Sequence, residues 1–282
     1  MRRLLLLSIF ISFISCNKSE NITWVSISDD VKELADDTYE GRATGTAGEL
    51  KAAAYIKQRF QQLNLSPKGT DGFEQRFSFK PSSNPHEKPS LSDSVAPGMT
   101  TARNILGYID HQADKTVVIG AHYDHLGYGM QGSLFDGKDS IHNGADDNAS
   151  GVALMLNLAY QLQNADSLKS NNYLFIAFSG EEMGLLGSNY FVKNPTIDLR
   201  MVNYMINLDM VGRLNEEKTI SISGVGTSPV FSQSLNAVND FGLKLVEKES
   251  GVGPSDHTSF YLNDIPVLHF FTGQHADYHK PS

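Results

Sequence analysis

Residues 173–179, Tyr-Leu-Phe-Ile-Ala-Phe-Ser, are apolar almost without a break. A strand with one face in water alternates apolar and polar residues. A run without alternation fits a strand covered on both faces, as in a parallel sheet. This run has company. Residues 104–109 (NILGYI), 116–121 (TVVIGA), 201–210 (MVNYMINLDM), 219–223 (TISIS) and 265–271 (IPVLHFF) read as further strands. Helical patterns lie between them, over 148–163, Met183–Val192 and 228–240, and a well-spaced helix over Thr46–Leu63 precedes them. Strands alternating with helices predict a largely parallel sheet with helices on both faces. The fold class is therefore α/β, a single three-layer α/β/α domain over residues 26–282 with a mixed, mostly parallel central sheet. Residues 81–97, rich in Pro and Ser, read as an exposed loop too short to be an inserted domain.

The length of 282 residues suits one such domain. The net charge of −9 argues against nonspecific binding to nucleic acid and gives no basic face for a membrane. It has the sign that bound cations would neutralise. The N-terminus stands apart. Two arginines precede an apolar run from Leu4 to Ile14, then Ser15 and Cys16. The run is short for a bilayer span and matches a secretory signal peptide. Cys16, the only cysteine, sits where it would in a bacterial lipobox, with Phe13 in place of the usual Leu. On that resemblance, residues 1–16 are a lipoprotein-type signal, Cys16 carries the lipid, and residues 17–25 are a polar tether. The protein is then an exported lipoprotein of the periplasm or outer membrane, touching membrane only through that anchor. A plain signal peptide or anchor with an incidental cysteine is the alternative. Without a second cysteine no intrachain disulfide forms, so the fold rests on its core or on metal.

In open α/β sheets function gathers at the carboxyl ends of the strands. One strand here ends at His122 and Asp124, another at Glu181 and Glu182, a third at Asp209, and the last leads on to His279. Asp146 and Asp147 lie in the loop 143–151 (NGADDNASG). Taken singly, each has a structural explanation: a core histidine, a capping aspartate, a solvated pair of glutamates. Together they bring imidazole and carboxylate from four strand ends to one edge. That donor set, without thiolate, suits zinc and similar divalent ions. Clustered carboxylates repel one another, and a pair of dications relieves the repulsion. One of the two adjacent aspartates is expected to be shared by two metals while the other shapes the loop.

The stretches GAHYDHLG (120–127), NGADDNASG, FSGEEMGLLGS (178–188), INLDMVG (206–212) and ADYHKPS (276–282) occur in the order found in the two-zinc aminopeptidases of metallopeptidase family 28. Upstream, EGRATGTAGELKAAAYI (40–56) also resembles that family's entry helix. The resemblance covers the chain from about Tyr39 onward. It implies that His122 and Asp209 hold one zinc, Glu182 and His279 the other, and Asp147 bridges them. Two dications against these three carboxylates and one bridging hydroxide leave no net charge. The resemblance further implies that Asp124 orients His122 and that Glu181 is the general base acting on a metal-activated bridging water. Tyr278 is a candidate donor to the oxyanion. The implied activity is removal of residues from the free N-termini of peptides; oligomeric state stays open.

Other residues near the motifs receive plainer readings. His125 and His142 read as surface or loop histidines. His257, beside Asp256 in SDHTSF (255–260), reads as outlying support of a substrate pocket. Arg42 reads as the partner of a carboxylate, and Trp24 as early packing. Glutaminyl cyclases share the fold and similar motifs with one zinc, but characteristically place tryptophan beside the last histidine ligand, where this chain has Tyr278. Carboxypeptidases acting on acidic dipeptides usually carry extra domains. A catalytically inactive binding module would be expected to have lost ligands or the base, and all six are present. In the family an aspartate and a final helix normally follow the last histidine, so the chain ending at Ser282 is expected to be truncated.

Overall fold

The computed structural model describes residues 25–82, 87, 89–92, 96–129 and 132–281. The leader ending at Cys16, the tether up to residue 24 and Trp24 lie outside them. In chain order the elements are α1 (Ile27–Leu34), α2 (Ala47–Gln62), β1 (Ser66–Pro67), β2 (Glu74–Lys80), β3 (Ser90–Ser92), β4 (Thr100–Ile109), β5 (Thr116–His122), α3 (Gly151–Asn164), β6 (Asn172–Phe178), α4 (Leu186–Lys193), β7 (Val202–Leu208), β8 (Thr219–Ser223), α5 (Phe231–Ala237), β9 (Lys244–Lys248), α6 (His257–Tyr261) and β10 (Val267–Phe271). The strands form one mixed sheet in the order β3-β2-β4-β6-β5-β7-β10-β8-β9, with β1 paired to β4.

The four central strands β6, β5, β7 and β10 are parallel. They are the apolar runs of the sequence, and a parallel neighbour requires a crossover such as β5–α3–β6. Odd-numbered residues of β5 and β6 (Val117, Ile119, Phe175) pack with Ile56 and Phe60 of α2 and Met155 of α3. Even-numbered residues (Val118, Leu174, Ile176) pack with Phe191 of α4 and Phe260 of α6. Side chains alternate across a strand, so two covered faces leave no polar alternation to see. The flanks bring in antiparallel pairs, β4 against β6, β2 against β4, β3 against β2 and β8 against β10, while the edge strand β9 runs parallel to β8. The sequence reading misses β2, which pairs antiparallel with β4 and β3, and the edge strand β9, which runs parallel to β8 after α5. β3 falls inside the stretch 81–97 read as loop.

The helix ends also differ from expectation. α3 begins at Gly151, because Asp147 (φ −106, ψ 93) and Asn148 (φ −133, ψ 42) are not helical. α4 begins at Leu186, since Glu181–Leu185 form a turn closed by the Gly184 and Leu185 amides on the Glu181 carbonyl. α5 covers only 231–237 of the expected 228–240. At the start of α2, Thr46 accepts a hydrogen bond from the Glu49 amide, and the Glu49 carboxylate accepts one from Gly45 at 2.7 Å. The same carboxylate accepts from Tyr123 (2.9 Å) and Ser179 (2.7 Å), tying α2 to the ends of β5 and β6.

From β5 the chain passes through α3 to β6 on one side, and from β6 through α4 to β7 on the other. This places a topological switch at the carboxyl end of β5, where α/β sheets open their crevice. Among the described residues no helix is long and apolar enough to cross a membrane.

Candidate metal centre

β5 delivers His122, which is buried. Its Nδ1 lies 3.2 Å from the Asp124 carbonyl oxygen, so a proton on that nitrogen leaves Nε2 free to bind an ion. Nε2 is 3.3 Å from Asp147 Oδ1 and 3.4 Å from Asp209 Oδ1. On the other side, His279 Nδ1 lies 2.8 Å from the Gly132 carbonyl oxygen, while its Nε2 is 3.2 Å from Asp147 Oδ2 and 3.5 Å from Glu182 Oε2. Asp147 thus presents one oxygen to each imidazole. All five residues expected to be ligands meet here, in two half-sites that share one carboxylate. Two imidazoles and three carboxylates without sulfur fit a pair of borderline divalent ions.

The loop that carries Asp147 is fastened from both sides. Asn148 donates to the Leu208 carbonyl (2.9 Å) and accepts from the Gly151 and Met210 amides (3.0 and 3.2 Å). Asp146 accepts from the Gly212 amide at 2.8 Å and lies 3.2 Å from His275 Nε2. The adjacent aspartates therefore face different partners: Asp147 faces the two imidazoles, and Asp146 holds the loop against the end of β7. Gly144 starts this loop at φ 58, and a Cβ there would come within 2.2 Å of the Asp147 carbonyl.

Asp124 is fully buried and anchors the turn after β6. Its carboxylate accepts from the Glu181 and Glu182 amides (3.2 and 3.4 Å) and from the Thr44 hydroxyl (2.9 Å). It sits 3.7 Å from His122 Nδ1, so it steadies both the imidazole and the glutamates. Glu181 lines a cavity of about 1060 Å³ together with His122, Asp147, Glu182, Asp209 and His279. Tyr278 lines the same cavity and stacks on the His279 ring, with centroids 3.8 Å apart.

The electrostatics reflect several carboxylates buried together. Burial, together with neighbouring carboxylates, holds Glu181 and Glu182 well above the usual carboxylate range. Burial also disfavours charge on His122, yet Glu181 and Asp209 overcome it and raise that imidazole. Asp147 and Asp209 go the other way: burial opposes their charge, yet the neighbouring imidazoles hold them below the usual carboxylate range.

Two histidines lie in loops, as one of the expected alternatives had it, but not on the surface. His125 and His142, read as surface or loop residues, are both buried. Burial holds His125 down at about 3, so the ring is neutral, and its Nδ1 lies 2.8 Å from Glu182 Oε1. It steadies one carboxylate while the other Glu182 oxygen faces His279. The doubled histidine of "HYDH" was the available signal. His257 stacks on His269 with centroids 4.3 Å apart, and His269 Nε2 is 4.0 Å from Asp209 Oδ2. His269 was missed; its signal was a lone imidazole within an apolar strand.

Arg42 also departs from expectation. It is buried and bonds no carboxylate. Its guanidinium donates to the carbonyls of Leu34, Tyr123, Asn143 and Gly144 at 2.5–2.9 Å. It locks α1, the end of β5 and the Asp147 loop together, and its charge faces the carboxylates of Asp147 and Asp124. Gly41 beside it has φ 65, and a Cβ there would lie 2.6 Å from the Gly127 and His142 carbonyl oxygens. Arg42→Met strands the carbonyls of Leu34, Tyr123 and Asn143, while Gly144 still accepts from the Ala149 amide, and is expected to cost about 3 kcal/mol or more in urea unfolding. Arg42→Lys should not restore it, because an ammonium lacks the planar fork.

Residues 104–282 match the family model described as peptidase family M28. A probable leucine aminopeptidase of Arthroderma otae is 31% identical over 174 residues, 58% of this chain and 45% of that protein. The chain spans about half or less of the curated relatives it matches. The crystal structure of BSAP, a zinc aminopeptidase from Bacillus subtilis, superposes with a TM-score of 0.67 at 20% identity, covering 91% of this chain and 88% of that one. A glutaminyl cyclase of Bacteroides thetaiotaomicron superposes with a TM-score of 0.65 at 18% identity, covering 93% and 91%.

Proposed function

The chain belongs to peptidase family M28, and on that premise we propose that it is a zinc-dependent aminopeptidase that removes residues from free peptide N-termini. The single observation that carries the reading is Asp147, whose oxygens lie 3.3 and 3.2 Å from two imidazoles belonging to separate half-sites. His122 and Asp209 would hold one zinc, Glu182 and His279 the other, with Asp147 shared. Bound there, the ions would polarise the scissile carbonyl and acidify a water.

The chain's own residues do the rest. Glu181 takes a proton from the attacking water and returns it to the leaving amine. Its raised affinity for protons, caused first by burial, suits a group that must hold a proton between the two steps. Asp124 keeps Glu181 and Glu182 in place through their amides, and His125 orients Glu182. Tyr278, in the cavity wall beside His279, donates to the oxyanion. The leader ending at Cys16 supports export, with a lipid on Cys16 as the membrane attachment.

Glutaminyl cyclisation is the second reading, favoured by the superposition on the Bacteroides enzyme. One assay separates them. Peptides with free, acetylated and Gln N-termini are incubated with the zinc-loaded protein, with and without chelator, and weighed by mass spectrometry. Chelator-sensitive trimming of free N-termini alone is expected. Loss of ammonia from the Gln peptide without trimming would make the protein a cyclase.

A further inference from the structure

The cavity that holds the ligand cluster extends past Asp209 and Met210 into a recess walled by Ser221, Ser223, Lys248, His269, Phe271 and Gln274. Strand register explains the wall. Lys248 on β9 pairs with Ser223 on β8, and Ser223 pairs with His269 on β10, so the three side chains share one face of the sheet. Phe271 pairs with Ser221 in the next row. Strands lie roughly 5 Å apart, which puts the Lys248 backbone about 10 Å from that of His269. An acidic side chain reaching from the ligand cluster and a lysine reaching from β9 can meet across that gap.

The chemistry of the recess is that of an anion receiver. Among the described residues no carboxylate lies within salt-bridge distance of Lys248, whose charge acts on the His269 ring. His269 is 94% buried (6% exposed), yet its Nε2 has no hydrogen-bond partner. Ser221 and Ser223 add hydroxyls. Among the described residues, the one carboxylate lining the cavity apart from the ligands and Glu181 is Glu87. It precedes β3, at the opposite edge of the sheet from β9.

We propose that this recess receives the side chain of the substrate's first residue and selects an acidic one, glutamate or aspartate, through Lys248 and the Ser223 hydroxyl. The inference rests on the aminopeptidase reading for the placement of the scissile bond, but not for the chemistry of the recess. Lys248 is a specificity-determining residue at an exposed position, so its replacement leaves the fold intact.

The test has two arms, both on the zinc-loaded full chain. Free Glu, Gln, Leu and Lys are titrated by calorimetry, and the corresponding aminoacyl 4-nitroanilides are assayed. Glu is expected to bind, and its anilide to turn over (as kcat/KM), at least tenfold better than Leu or Lys. Lys248→Met should remove that preference, bringing Glu to or below Leu, and Ser223→Ala should weaken it. Leu equal to or better than Glu, or a preference untouched by Lys248→Met, overturns the inference. Turnover of Leu anilide without acidic preference overturns it alone. Selective binding of Glu with no turnover of any anilide upholds the recess and overturns the aminopeptidase reading instead.

Discussion

Glu181→Gln is expected to lower kcat by about 10²–10⁴-fold while leaving zinc content unchanged. The amide is nearly the size of the carboxylate and keeps the backbone N–H that donates to Asp124 at 3.2 Å. The turn after β6 therefore survives. None of the close contacts around Asp147 involves Glu181, since those belong to His122 and His279. What disappears is a group that can accept a proton from water and give it to the amine. Elemental analysis and turnover measured on one sample check both halves. Normal turnover with bound zinc would remove Glu181 from the role of base.

Asp147→Asn should act on the metals themselves. An amide offers one acceptor oxygen where the carboxylate offers two, and its NH₂ would point at an imidazole nitrogen or at an ion. Zinc content is expected to fall from two per chain to one or fewer. Activity should drop by about 10³-fold, the scale of several kcal/mol of lost stabilisation of the transition state. The loop itself is held by Asp146 and Asn148, so circular dichroism should be unchanged. Two zincs retained with near-normal turnover would show that the bridge lies elsewhere.

The parts of the site readable in the sequence were those fixed by strand ends. β5 and β6 are almost continuously apolar because both faces are covered, and β7 is mostly so, which made the polar residues at their carboxyl ends stand out. The order of the motifs then gave the family resemblance from which the ligand set is proposed. Residues whose roles depend on loop closure were harder to place. Arg42 reads as a charge seeking a carboxylate, but the loops at 123 and 143–144 close over it and offer carbonyls instead. His125 lies beyond the strand, where no period tells inside from outside, and only the fold buries it against Glu182. His269 follows a strand period, but its neighbours across β8 and β9 come from sequence far away. One antiparallel flank strand, β2, escaped for a related reason. β2 mixes Glu74, Arg76 and Lys80 with Phe77 and Phe79, and its pairing depends on β4 rather than on any local signal.

The central claim is a pair of ions sharing Asp147, and anomalous scattering at the zinc edge from crystals of the zinc-loaded protein tests it most directly. The account predicts two peaks, one against His122 and Asp209 and the other against Glu182 and His279, both in contact with Asp147. A single peak, as a cyclase would give, or peaks away from Asp147, would contradict it.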